Sequence, residues 1–142
     1  MYKLNTLIKR PSNKQLDDLW RKAVYLKAGN VCEYPGCRKN DYLNPHHIYS
    51  RSRKSVRWDV ENGIALCSGH HCLTNESAHK DPNFLRVLVK GGVRTQKFLD
   101  KLERKAKAPA KIDRCLEKLA LEKEIRLLKK ILPYKINEVI CC

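Results

Sequence analysis

No apolar run in this chain approaches the roughly 20 residues that a bilayer-spanning helix needs, so no membrane span is expected in its 142 residues. The opening residues, Met1-Tyr2-Lys3-Leu4-Asn5, lack the apolar core of a secretory signal. The cysteines number 7, an odd count that fits poorly with a closed disulfide framework. Acidic residues are scarce: 15 Asp and Glu face 30 Lys and Arg, a formal charge of +15. The first three absences point to an intracellular, cytoplasmic protein, where thiols stay reduced and clustered cysteines hold metal. The charge favours a polyanionic partner, with nucleic acid the usual one. Charge alone does not choose an activity, since a ribosome-like or simply soluble basic protein would share it. No internal repeat or low-complexity tract is evident. The length suits one small domain with extensions.

What is present is concentrated. All 5 histidines and 4 of the 7 cysteines lie within residues 31 to 79. The chain divides into a basic extension and amphipathic helix (1–30), a site-bearing core (31–90) and a basic helical extension (91–142). Residues 1 to 10 have little structural signal. Ser12 and Gln15 then form a capping-box pattern, followed by an apolar stripe at Leu16, Leu19, Trp20, Ala23 and Val24. A helix is expected over 13–28, with Ala28-Gly29-Asn30 as its stop. Residues 31–42 read as a tight turn around Cys32 and Cys37, and 43–49 as a strand in which Pro45 argues for an edge position or a strand start. A polar loop over 50–62 leads to a second strand at 63–67 and a helix over 68–78. Asp81-Pro82 opens a short helix to about 89. Beyond it, Phe98, Leu99, Leu102 and Ala106 make one helical stripe. After Ala108-Pro109-Ala110, a second runs from Ile112 to Leu132 and is stopped by Pro133. The two C-terminal helices are read as either an antiparallel pair or a homodimer interface. The fold class is therefore α+β, with a small hairpin-helix core and helical flanks.

Two ligand pairs, Cys32-x4-Cys37 and Cys67-x2-His70, each sit on a turn that can aim both side chains at one point. Three thiolates and an imidazole suit tetrahedral zinc in a structural role. Cys72 is the alternative to His70 as fourth ligand. His46 and His47 are consecutive on a strand and so point to opposite faces. His71 and Asn75 share a helix face. His46, His71 and Asn75 can thus converge on one divalent cation and leave coordination positions open, as a catalytic metal requires. His79 replaces Asn75 if the helix bends. Arg51, Arg53, Lys54 and Arg57 form a basic loop able to grip phosphates, and Trp58 is expected to pack beneath it. Cys115 reads as a core residue, and Cys141 and Cys142 as a tail.

These residues resemble the HNH endonuclease family, the ββα-metal nucleases. The resemblance rests on His46-His47-Ile48, Asn62 and His71 with flanking cysteine pairs. The string from His46 to Ser52, with Arg57-Trp58-Asp59, Leu66-Cys67, His70-His71 and Ser77-Ala78-His79-Lys80, is especially similar to small stand-alone HNH proteins of phage genomes. It covers about residues 31–82. It implies His47 as the general base, His46 and His71 as metal ligands, Asn75 as a further ligand, and Asn62 as the brace that orients the base. It implies a metal-dependent endonuclease of double-stranded DNA using Mg²⁺, Mn²⁺ or Zn²⁺, acting in a host cytoplasm if phage-encoded. The rival reading is a non-catalytic zinc module that binds nucleic acid. A further rival is a zinc-held structural protein of a larger assembly.

Overall fold

The computed structural model describes residues 9–140, with side chains as far as Leu132. Most of the basic N-terminal extension, and Cys141 and Cys142, lie outside the described residues. Among the described residues the chain is α+β: four helices surround one two-stranded antiparallel sheet.

Helix α1 (Asn13–Lys27) forms where the capping pattern expects it. Ser12 Oγ accepts from Gln15 N–H and Gln15 returns the bond to Ser12 N–H. It ends at Ala28, where Gly29 and Asn30 both take positive φ. Its stripe is buried at Leu16, Trp20, Ala23 and Val24. Strands β1 (Leu43–His47) and β2 (Gly63–Cys67) pair with Leu43 opposite Cys67, His46 opposite Ile64 and His47 opposite Gly63. Strand β1 is thus shorter than expected, ending at His47. Pro45 costs little here, because a two-stranded sheet consists only of edges. The 50–62 loop is less polar in its packing than in its composition. Short 3-10 turns at Lys54–Val56 and Val60–Asn62 bury Val56, Val60 and Asn62.

The greatest departure follows β2. The expected helix over 68–78 is a single π turn, Gly69–Leu73, after which Thr74 is extended. The next residues are turns, with Ala78 N–H donating to His70 O at 2.8 Å. No apolar stripe runs through Thr74-Asn75-Glu76-Ser77, so nothing rewards continued winding. Helix α2 (Phe84–Lys90) then packs Phe84 and Leu88 inward. Helix α3 (Gln96–Lys107) is capped by Thr95 and lays Leu102 and Ala106 against Val56 of the loop. Helix α4 (Arg114–Ile140) runs through Pro133 rather than stopping there. A proline's φ is helical, and its cost is a lost hydrogen bond and a ring clash rather than an obligatory end. The expected pairing of the C-terminal helices is not the main contact. Leu121 and Ile125 of α4 are buried with Leu16, Trp20 and Val24 of α1, while α3 seats on the 54–56 turn.

Strand β2 is buried on both faces. Ala65 joins the α1–α4 core, while Ile64 and Leu66 join Cys32, Cys67, Phe84 and Leu88. Its outer edge is closed by Glu33, whose N–H donates to Ala65 O at 2.9 Å and whose Oε2 accepts from Ala65 N–H at 2.8 Å. Arg94 pairs with the same carboxylate at 3.1 Å, both side chains being well buried. At Gly63 the approach of α1 leaves no room for a side chain. A Cβ there would stand 2.2 Å from Val24 Cγ2 and 3.0 Å from Trp20 Cζ2. Gly63→Ala is expected to cost about 1–3 kcal/mol by overpacking, read as a lower urea midpoint with helix content retained.

Candidate metal centre and adjoining histidine site

Among the described residues two groups of ligand-type side chains form, on different parts of the core. The first is Cys32, Cys37, Cys67 and His70, whose ligand atoms all lie within 4.8 Å of one another. The turn that carries the first two cysteines closes through Cys37 N–H to Tyr34 O at 2.9 Å. Gly36 supplies the positive φ of 76° that the turn needs. His70 Nδ1 stands 3.3 Å from Cys67 Sγ and 3.6 Å from Cys32 Sγ. The Tyr34 ring stacks on His70 at 3.8 Å and fixes the imidazole plane. A tetrahedral ion with bonds of ~2.3 Å to sulfur and ~2.0 Å to nitrogen spaces its ligand atoms roughly 3.3–3.8 Å apart. The observed spacings fit that figure, and this cluster can hold a metal ion such as zinc. The choice between His70 and Cys72 falls to His70, since Cys72 Sγ turns away toward Ser68 O.

The thiols differ in acidity without metal. Burial pushes Cys32 up to about 12. Burial also acts upward on Cys67, but hydrogen bonds from the His70 backbone and from Cys32 and Cys37 bring it below its ordinary value. A cation is the natural means of keeping several thiolates charged in so small a space.

The second group is His46, His71 and His79, again with ligand atoms within 4.8 Å. His71 Nε2 and His79 Nε2 are 3.3 Å apart, close to the nitrogen spacing of a tetrahedral or octahedral ion. The His46 ring lies edge-on to both, at 5.5 and 4.9 Å between centroids. His46 comes from β1, His71 from the π turn and His79 from the loop that folds back after it. Asn75, expected in this set, is exposed. The helix that would have aligned it with His71 ends at Leu73, and the chain's return brings His79 instead. His79 is exposed and its two companions half-buried, so the group opens to solvent. Burial, then the charges of His79, His71 and His47, lower His46 to about 4. Burial and His79 lower His71 as well. Both rings are therefore neutral at pH 7, the form that binds metal.

His47 stands opposite Gly63, on the other face of the sheet. The space left by the missing side chain at Gly63 admits Val24 and the edge of Trp20, whose ring stacks on His47 at 3.8 Å and 6°. His47 Nε2 is 2.9 Å from Arg57 O. A carbonyl can only accept, so Nε2 carries the proton and Nδ1 is the basic nitrogen. Burial lowers the pKa of His47, outweighing the upward pull of the Arg57 carbonyl and the Asp17 carboxylate. The Arg57 carbonyl is itself held in place. The Arg57 guanidinium makes a two-pronged pair with Asp17 at 3.2 and 2.8 Å. Trp58 Nε1 donates to the same carboxylate at 2.8 Å, and Trp20 Nε1 donates to Asp59 O at 2.9 Å. Asn62 is fully buried. Its Oδ1 accepts from Tyr49 N–H, and its Nδ2 donates to Tyr49 O and Val56 O, tying the ends of the loop together.

Of the four loop cations, Arg51, Arg53 and Lys54 are exposed. Arg57 is committed to Asp17. Trp58 packs beneath the loop, as expected, and is 7% exposed. The sequence shows Trp20 only as part of the apolar stripe of α1, and Asp17 carries no signal of its own. Nothing local marks them as neighbours of His47. The chain matches no protein-family model, no curated protein and no solved structure.

Two outcomes follow from this geometry. Cys67→Ser or His70→Ala should lose one equivalent of bound zinc and lower the melting temperature, while Cys72→Ser should change neither, by elemental analysis and thermal circular dichroism. The second concerns pH. His46 is lowered from 6.5 to about 4 on folding, so the unfolded chain binds more protons between those values. Its contribution is full above about 6.5 and is lost as pH falls toward about 4. With one equivalent of zinc present, which thiolates take before imidazoles, the urea midpoint should fall more steeply through this window for the unaltered chain than for His46→Gln.

Proposed function

We propose that the chain is a metal-dependent endonuclease of the HNH, ββα-metal type, acting on double-stranded DNA. One observation carries the reading. The chain has a solvent-open group of three imidazoles, His46, His71 and His79, separate from the group of Cys32, Cys37, Cys67 and His70, of which Cys32 and Cys67 are buried. A fold-holding zinc needs only the second. In this reading that zinc is structural, and the divalent cation of the reaction belongs to His46, His71 and His79. When bound, such a cation supplies positive charge against a phosphate oxygen and the departing 3′ oxygen.

The protein's own groups do the rest. His47 Nδ1 accepts a proton from water as the water oxygen bonds to phosphorus and the phosphorus–3′ oxygen bond breaks. The 3′ oxygen takes its proton from solvent. The Arg57 carbonyl holds the His47 tautomer, and Trp20 holds its plane. The lowered pKa of His47 keeps it in the base form at neutral pH. Arg51, Arg53 and Lys54 offer exposed positive charge to flanking phosphates, in a chain of net +15. Arg57 contributes by orienting the loop rather than by meeting DNA. Asn62 keeps the loop in register with β1.

Supercoiled plasmid is the test, with Mg²⁺, Mn²⁺ or added Zn²⁺, comparing the intact chain with His47→Ala. Relaxed or linear product from the intact chain should fall by about 10²–10⁴-fold in the variant, with zinc content and helix content kept. Equal cleavage by both would remove His47 as the base. Retained DNA binding without cleavage by either, over varied substrates, would favour a zinc module that only binds nucleic acid.

A further inference from the structure

The structure assigns Phe84 a positioning role: it sets the His46 ring for cation binding and, through Tyr34, ties the three-imidazole site to the cysteine site. The inference rests on the reading of His46, His71 and His79 as a cation site. Phe84 opens helix α2 and is 5% exposed, in the same buried cluster as Cys32 and Cys67. Its ring lies 6.3 Å from that of His46 at 69°, and 6.2 Å from that of Tyr34 at 34°. Both separations fall within the range of roughly 4.5–7 Å over which aromatic rings interact. Tyr34 in turn stacks on His70 of the cysteine site. The rings of His70, Tyr34, Phe84 and His46 therefore run in sequence from one site to the other.

Little else orients the His46 ring. Among the described residues it makes no hydrogen bond and pairs with three rings, those of His71, His79 and Phe84. The two imidazoles are its companions in binding a cation and need placing themselves, His79 being exposed. Phe84 is the one ring of the three without a ligand atom, so it alone among them fixes the His46 plane independently of the ion. His47 shows the contrast, since Trp20 and the Arg57 carbonyl hold its ring. A ring already in place loses less freedom when it closes on an ion, and affinity rises without a further bond to the metal. A second link runs through the backbone. His70 precedes His71 in the π turn, and its carbonyl accepts from the N–H of Ala78, next to His79, at 2.8 Å. An ion that fixes His70 on the cysteine side therefore acts on all three imidazoles: on His46 through the rings, and on the other two through the chain.

The test is calorimetric titration of Ni²⁺, a cation that imidazole suits, into the full chain already holding one equivalent of zinc. The intact chain should bind one Ni²⁺, and His46→Gln should lose it. Phe84→Leu should weaken Ni²⁺ about 10- to 100-fold at unchanged zinc content. Leu88→Val, one turn of α2 further on in the same buried cluster, should lower the melting temperature and leave the Ni²⁺ affinity as it was. Tyr34→Leu should weaken Ni²⁺ at least about fivefold. Combined with Phe84→Leu it should cost little more than Phe84→Leu alone, since both cut one path. An unchanged Ni²⁺ affinity in Phe84→Leu overturns the positioning role. So does an equal loss in Leu88→Val, which would mark a general loosening of the core. Additive losses at Tyr34 and Phe84 overturn the tie between the sites. No Ni²⁺ binding by the intact chain, or binding that His46→Gln keeps, overturns the three-imidazole reading itself and this inference with it.

Discussion

A ladder of five residue pairs sets everything else in this molecule. Two strands of that length do not hold together in water by themselves, and here each face is covered by a different layer. Helix α1 lies on the face that carries Gly63, Ala65 and His47. The cysteine turn, the π turn and α2 lie on the face that carries Ile64, Leu66 and His46. The pleat sends consecutive side chains to opposite sides. Two adjacent histidines of identical chemistry therefore enter unlike surroundings. His46 joins a group of imidazoles, and His47 lies flat against an indole. A slip of one residue in the pairing would exchange them.

The few acidic groups help explain how so basic a chain keeps that register. Asp17 binds Arg57 and Trp58, Glu33 binds Arg94 and closes the edge of β2, and Asp59 binds Lys105. Each joins parts of the chain far apart in sequence. These carboxylates are turned to structural use, while Arg51, Arg53 and Lys54 remain exposed. The loop thus keeps exposed positive charge without giving up the ion pairs that shape it. Arg57 illustrates the division. It belongs to the same basic run as its neighbours, yet its guanidinium is closed by Asp17 and its carbonyl is what fixes His47.

Local rules carried the reading of α1, whose cap, stripe and glycine stop are all short-range features. They also carried the second strand and the pairing of cysteines with His70, because ligand spacing within a turn is a local property. They failed beyond Leu73. Helical periodicity placed Asn75 beside His71, but a single wide turn satisfies the backbone there and the chain folds back through Ala78 and His70. His79 takes the place on account of that return, which no window of a few residues contains. Pro133 likewise reads as a stop and is not one.

The sequence by itself determined which residue types were available and where short-range order begins. It set out the capped helix, the two strands, the Cys and His pairs, and an excess of positive charge. Those follow from hydrogen bonds and periodicities that span a few residues. Only the tertiary structure decided which histidines meet, which nitrogen of His47 is free, and which cation of the basic loop is already taken. Those depend on the packing of α1 against Gly63 and on the fold-back after β2. They are contacts between distant segments whose geometry is set by the space left between layers.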